Sequence, residues 1–442
     1  MATNQQEVPI DERAHRKAFY RIVPFLFVCY VFAYMDRINI GFAKLQMSQT
    51  LGLSDAAFGL AAGIFFIGYV PFEVPSNLLL ARIGARRTFG RILILWGLVT
   101  IGTSMVQGAA TLQTMRFLLG VFEAGLAPGI LLYLTLWFGP KRLGRVLAVF
   151  MSSAALAGIV GSPLSTFIMA RMDGSAGLAG WQWMFIIEGI PPVLLGLAAY
   201  ATLSDRPNDA HWLTKEEKSA LVESVDSVTD SADRPQKKSA FRDPIVYAMS
   251  LCYFGIICGL YAIAFWLPTV ISIAGAGTLQ NVGWYGAIPY LVAVVFMYGL
   301  GRLSDARGER IRYSASPAAL AAILLTMTVW SHGSFVLSMV LISLATGCIY
   351  GAYGVFWTIP SEYFGSKTAP GGLALINTIG LLGGFASPAC IGWIKSVTHS
   401  LDYALLLLAG VILLSAFGLL ALRSRVQNRE TSCLIVALPE GQ

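Results

Sequence analysis

Charge is scarce in this sequence. Only 12% of its 442 residues are Asp, Glu, Lys or Arg, where a soluble globular chain carries about 25%. Hydrophobic residues make up 56% and the mean hydropathy is +0.66, so a soluble core is excluded and the chain reads as a polytopic membrane protein. The six cysteines include no Cys-x-x-Cys pair, which argues against a disulfide framework and a zinc site. His15, His211, His332 and His399 are scattered through loops and termini, so no metal and no cofactor is expected. Neither a His-Glu-x-x-His helix nor a nucleophile elbow occurs, which argues against an intramembrane enzyme. No small-residue cleavage site follows the first apolar run, as expected for a retained helix rather than a signal peptide.

Apolar runs are plentiful instead. About twelve are long enough to span a bilayer, at 20–42, 56–80, 91–109, 113–138, 146–169, 182–203, 244–271, 282–303, 313–332, 334–363, 369–394 and 401–422. The net charge of +7 does not imply nucleic acid, because the basic residues gather in alternate loops. Arg13, Arg16 and Lys17, then Arg82, Arg86, Arg87 and Arg91, Lys141, Arg142 and Arg145, Arg307, Arg310 and Arg312, and Arg423, Arg425 and Arg429 lie on one side. Lys44, Arg171 and Lys395 lie on the other. That bias predicts cytoplasmic termini, and the expected location is the cell inner (plasma) membrane. One long polar segment, 204–243, separates residues 1–203 from 244–442. It reads as a cytoplasmic linker, with a surface helix started by the capping box Thr214-Lys215-Glu216-Glu217.

The two halves echo each other. Gly84-Ala85-Arg86 matches Gly308-Glu309-Arg310, and Gly59 matches Gly283, at one offset. Phe138-Gly139 with Lys141, Leu147 and Ala148 matches Phe364-Gly365 with Lys367, Leu373 and Ala374. Gly161-Ser162-Pro163 is echoed by Ala386-Ser387-Pro388. The expected fold is an all-α membrane protein, twelve transmembrane helices in two pseudo-symmetric six-helix bundles, with the substrate site between them.

Tyr34-Met35-Asp36-Arg37-Ile38-Asn39 interrupts the apolar run from Ile22 to Phe42. A charge near the centre of a spanning helix costs roughly 2.5–3.5 kcal/mol on insertion scales, so an adjacent acid and base mark a functional site. Arg116 and Glu123 are seven residues apart, on one helix face and about 10 Å apart along the axis. If the helices are straight, Asp36 falls at a depth between them, and two acids and two bases face one cavity. A break at Pro128-Gly129 or Gly41 would undo this alignment. Two arginines suit an anionic substrate, which guanidinium grips bidentately. Structural salt bridges are the alternative, though buried pairs contribute little to stability. Asp36 and Glu123 are the expected proton-coupling acids. Glu73 is expected near the inner end of span two, close to Arg82 or Arg145, as a structural or gating partner. Glu188 and Glu362 are expected at helix ends in structural roles. The second half offers no deep base, only Arg302 at the end of span eight. Tyr261, Tyr353, Trp357 and Asn377 are the candidate substrate contacts there, with simple packing the alternative for each aromatic.

The stretch Asn77-Leu78-Leu79-Leu80-Ala81-Arg82-Ile83-Gly84-Ala85-Arg86-Arg87 resembles the loop signature of the major facilitator superfamily. Its usual Gly and Asp are replaced by Asn77 and Ala81, whereas Gly301 through Asp305, Gly308 and Arg310 keep both. A gating role thus attaches more firmly to Asp305 and Arg310 than to Arg82, Arg86 and Arg87, whose alternative is topology alone. The Asp36-Arg37 motif, Gly68-Tyr69 with Glu73 to Asn77, Arg116 with Gly120, Glu123 and Pro128, Phe356-Trp357 to Glu362, and Ile376-Asn377 with Gly380 and Gly383-Gly384 are similar to the anion:cation symporter family. The likeness is to its branch for tartrate, phthalate, 4-hydroxyphenylacetate and allantoate. It implies proton-coupled uptake of a small organic anion by a single chain in the bilayer, and its motif positions favour Asn377 and Tyr69 as substrate contacts. A drug/proton antiporter is the alternative, although buried acids without deep arginines would suit cationic drugs better.

Overall fold

The fold is described from a computed structural model for residues 9–226, 242–331 and 333–436, with side chains described for all of these except 140–141, 226, 365–370 and 424–436. Lys141, Lys367, Arg425, Arg429, His332 and linker residues 227–241 lie wholly or in their side chains outside that set. The described chain is helical throughout. The first half holds α1 (Ile10–Thr50), α2 (Asp55–Ile83), α3 (Ala85–Thr103), α4 (Ala109–Glu123), α5 (Leu126–Thr135), α6 (Pro140–Met172) and α7 (Gly180–Thr202). The short α8 (Lys215–Asp226) follows. The second half holds α9 (Pro244–Ala274), α10 (Leu279–Arg307), α11 (Arg310–Val329), α12 (Phe335–Phe356), α13 (Thr358–Thr398) and α14 (Asp402–Val436).

Ten segments among the described residues are long and apolar enough to cross a membrane. The tenth and eleventh expected spans correspond to Phe335–Phe364 and Gly371–Thr398. The arginine-bearing α3 and the Ser- and Thr-containing α11, 19 and 20 residues long, bring the bundles to six spans each. The same packing recurs in both: α1 on α6 corresponds to α9 on α13, α2 on α4 to α10 on α12, and α3 on α7 to α11 on α14. The halves meet along α1–α9, α2–α13 and α6–α10.

Local chemistry sets the ends. Ser54 accepts a hydrogen bond from Ala57 N at 3.1 Å and caps α2. Asp243 caps α9 ahead of Pro244, a residue suited to the first helical turn. Thr214 and Glu217 form the expected capping box (Thr214 N to Glu217 Oε2 3.0 Å, Glu217 N to Thr214 Oγ1 3.3 Å). Lys17 on α1 reaches Glu217 at 2.7 Å. α1 starts ten residues before the expected span, because its polar first turns bury Ala14 and Ala18 rather than ending in solvent.

The fourth span is broken, but not at Pro128-Gly129 and with Gly41 left inside a continuous α1. The interruption is Ala124-Gly125, immediately after Glu123. Gly125 takes φ +87°, and a Cβ there would lie 2.5 Å from the Ser76 side chain, so both backbone conformation and space demand glycine.

Cross-half contacts gather toward one end of the bundles. Asp55 of α2 pairs with Lys44 of α1 at 2.6 Å and with Lys395 of α13 at 3.2 Å. The Lys44 ammonium sits 3.8 Å from the ring centroid of Trp266 on α9. A Cβ at Gly59 would collide with the Pro388 carbonyl oxygen and lie 3.0 Å from the Cα of Gly392. Backbone therefore meets backbone where α2 crosses α13.

Candidate functional site

α1 and α4 bring Arg37, Arg116 and Glu123 together. They are 6%, 1% and 0% exposed, too deep for water to balance their charges. Arg37 Nε donates to Glu123 Oε1 at 2.8 Å, and its Nη2 lies 2.6 Å from the same oxygen. Glu123 Oε2 has no partner. The carboxylate stands at the C-terminal end of α4, where the helix dipole is unfavourable to an anion, so Arg37 supplies the compensating charge. Arg116 is less satisfied. Its Nη1 donates to the Asp36 backbone oxygen at 3.4 Å, while Nε and Nη2 have no hydrogen-bond partner. The Phe65 ring lies beside both guanidinium groups, 5.4 Å from Arg37 and 5.3 Å from Arg116.

Tyr69 and Tyr261 join this group. The Tyr69 ring is 5.2 Å from the Arg37 guanidinium, and Arg37 Nη1 donates to the Tyr261 hydroxyl across the two halves at 3.3 Å. Tyr34 and Tyr350 make a second cross-half bond, hydroxyl to hydroxyl, at 2.8 Å. Glu73 departs from expectation. It accepts from Asn377 Nδ2 at 3.1 Å and pairs with neither Arg82 nor Arg145. Ten residues separate it from the end of α2, so the amide of α13 reaches it before any loop arginine can. Tyr353 and Trp357 form a separate aromatic group around Tyr253, with centroids at 6.2 and 5.0 Å.

Asp36 turns away from the arginine side chains. Its carboxylate accepts from Trp96 Nε1 at 2.5 Å, Thr100 Oγ1 at 2.7 Å and Asn39 Nδ2 at 2.9 Å. Successive helical residues project about 100° apart, so adjacency to Arg37 in sequence places Asp36 on another face. The four charges therefore do not all face one point. Glu188 is likewise not at a helix end. It is the ninth residue of α7, 2% exposed, and accepts from Asn39 Nδ2 at 2.9 Å and Ser165 Oγ at 2.6 Å.

The loop arginines divide by half. Arg310 pairs with Asp305, and its Nε donates to Glu362 at 2.8 Å. Arg82, Arg86 and Arg87 are exposed, and none of their side chains has an ion pair among the described residues. The α2–α3 turn is held instead by Asp205, which accepts from Arg86 N at 2.9 Å. Sequence reasoning passed over Phe65, the Tyr34–Tyr350 bond, and the roles of Asn39, Trp96, Thr100 and Ser165. Asn39 was within reach, three residues beyond Asp36 on the same turn.

Comparison with known proteins agrees with this architecture. The family model described as Major Facilitator Superfamily matches residues 26–388. A protein of Agrobacterium vitis named "Putative tartrate transporter" is 41% identical over 96% of this chain and 94% of its own length. A "Quinolone resistance transporter" of Acinetobacter baumannii is 34% identical over 96% of this chain and 98% of its own. Among solved structures, one titled as a D-xylose-proton symporter superposes with a TM-score of 0.73 at 15% identity, covering 91% of this chain and 97% of that one. The family model spans most of the chain, and the relatives are consistent with an anion:cation symporter-like branch. The chain thus belongs to the Major Facilitator Superfamily, a multi-pass membrane transporter and not an enzyme.

Proposed function

We propose that the protein is a proton-driven importer of a small organic carboxylate, a hydroxy acid such as tartrate or an aromatic acid. The observation that carries this reading is three unsatisfied atoms at the arginine site, Arg116 Nε and Nη2 as donors and Glu123 Oε2 as acceptor; Arg37 Nη2, which also lacks a hydrogen bond, is ion-paired to Glu123 Oε1. Buried polar atoms without partners are costly. A carboxylate accepting from Arg116, with a neighbouring hydroxyl donating to Glu123, would satisfy all three. Arg37, Tyr69 and Tyr261 complete the near side of the site, and Asn377, at Glu73, with Tyr353 and Trp357, in the separate aromatic group, are the candidate contacts of the second half. The tartrate-named relative supports the same class.

Coupling follows from competition. An anion that takes Arg37 releases Glu123 from its partner, and an acid that loses a nearby cation binds a proton more readily. Asp36 is the second coupling acid. Residues 1–203 and 244–442 rock about the site, with the 204–243 linker and both termini cytoplasmic. Arg82, Arg86, Arg87, Glu73, Asp305 and Arg310 act at gates or in structural support. The protein works as a monomer in the plasma membrane.

The test is uptake of labelled tartrate and labelled phthalate by vesicles made alkaline inside. At least one should accumulate, and a proton ionophore should abolish the accumulation. Equal uptake with and without the pH gradient would end the symport reading. The quinolone-named relative favours a second reading, export of an amphiphilic drug in exchange for protons. Proton-dependent drug efflux without anion uptake would establish it.

A further inference from the structure

A second buried acid group lies beyond the arginine site, where α1, α3, α6 and α7 meet. Asp36 and Glu188 are each 2% exposed, and Asn39 between them is 0% exposed. The Asn39 amide nitrogen donates to Asp36 Oδ1 and Glu188 Oε2, both at 2.9 Å. The remaining oxygens take Trp96 Nε1, Thr100 Oγ1 and Ser165 Oγ. Thus two carboxyl groups share one amide, and no cationic side chain bonds to either. The charged groups of the neighbouring arginine site are Arg37 on α1, and Arg116 and Glu123 on α4. Arg37 is committed to Glu123, and Arg116 reaches only the Asp36 backbone. α3 and α6 contribute Trp96, Thr100 and Ser165. The Asn39 oxygen Oδ1 lies within this cluster with no hydrogen-bond partner.

We propose that Asp36 and Glu188, bridged by Asn39, form one proton-binding pair, with Glu188 a functional acid and Asn39 its positioning residue. Two adjacent carboxylates without a cation favour taking up one proton between them. The partners suit that change. Thr100 and Ser165 carry hydroxyls, which can donate to a carboxylate or accept from a carboxylic acid. Asn39 offers its free Oδ1 if the amide turns. Either acid can therefore gain or lose a proton with no more than the rotation of a hydroxyl hydrogen on Thr100 or Ser165, or of the Asn39 amide. The contrast is with Glu123, whose partner is a guanidinium that only donates; a proton there breaks the ion pair. Binding moves the pair from two negative charges to one, and the proton stays on a carboxyl oxygen. This inference rests on the reading of the protein as a proton-driven carrier, but it concerns a site that substrate does not fill.

The test needs no substrate. Purified protein in lipid discs is titrated while the infrared C=O stretch of protonated carboxyl groups is recorded. The parent should show a band that only Asp36→Asn and Glu188→Gln together abolish, since either acid alone can still take a proton. In Glu188→Gln the remaining acid no longer has a like charge beside it, so its midpoint should fall by at least about one pH unit. In Ser165→Ala the Glu188 anion loses a donor, so the midpoint should rise. Opposite shifts support the shared site, and Ser165→Ala carries the test should Glu188→Gln misfold. Glu362→Gln, at the Arg310 cluster, should leave this band unmoved. Midpoints unchanged in both Glu188→Gln and Ser165→Ala would overturn the proposal. A midpoint that shifts when sodium replaces choline would also overturn it, showing a metal-cation site instead. If vesicles still accumulate anion by the pH gradient, only this inference fails. If the pair titrates as described but no anion is carried, only the proposed substrate and function fail.

Discussion

Arg37 and Arg116 are not redundant. Arg37 is already engaged with Glu123 and Tyr261, whereas Arg116 keeps two nitrogens unsatisfied. Arg37→Lys and Arg116→Lys retain the charge but lose the planar fork. Each should weaken tartrate or phthalate binding by at least about 1.5 kcal/mol, the scale of a hydrogen bond to a charged group. Calorimetric affinities within twofold of the parent for both would make the arginines structural. Asp36→Asn and Glu123→Gln imitate protonated acids in nearly the same shape. At least one should still exchange external for internal anion yet fail at uphill uptake. Parent-like accumulation in both would move the coupling to other acids. The arginines and Glu123 were legible because charges in apolar runs stand out. The direction of Asp36 was not, since one residue along a helix changes the face. Glu188 was hidden for another reason: its partner Asn39 lies 149 residues away in sequence.

The helices themselves were readable from apolar length, while their interruptions were not. Straight helices were the expectation, with Pro128-Gly129 as one place to look for a break, but Pro128 is the third residue of α5, where a missing N–H costs nothing. The true interruption needs the left-handed Gly125 and the closeness of Ser76, which only the fold reveals. α8 carries its own pH dependence. Burial pushes the Glu217 carboxyl up, but hydrogen bonds from Lys17 and the Thr214 backbone, with the Lys17 and Arg13 charges, outweigh it and hold it below its usual value. A lowered acid stabilises the docked helix above the unfolded pKa of about 4.3, and that contribution fades as pH falls through the lower folded value. Amide-exchange protection over Lys215–Asp226, relative to the intrinsic rate at each pH, should therefore fall on acidification below that range. Glu217→Gln should exchange faster than the parent at neutral pH and lose the dependence. A parent whose protection is flat with pH would refute this.

At the scale of the whole molecule, the halves close on each other through backbone at Gly59 and charge at Asp55. Gly59→Ala inserts a methyl where overpacking costs roughly 1–3 kcal/mol. It should bias the carrier toward opening at the Asp55 end. With Phe66→Cys as a reporter, thiol labelling from that side should rise severalfold in the Gly59→Ala background. Unchanged labelling would mean that α2 and α13 yield without parting. The twofold arrangement of helices was predictable from the repeated Gly-Ala-Arg and Gly-Glu-Arg turns, but the chemistry does not repeat. Arg37, Arg116, Asp36, Glu123 and Glu188 all belong to the first half, and the second meets that half with uncharged groups, Tyr261 on Arg37, Tyr350 on Tyr34 and Asn377 on Glu73. That division makes the carrier modular for an engineer. On the proposed reading the power source and the grip on the carboxylate share one half, so a library confined to the second half should change which carboxylate is carried while leaving the engine untouched.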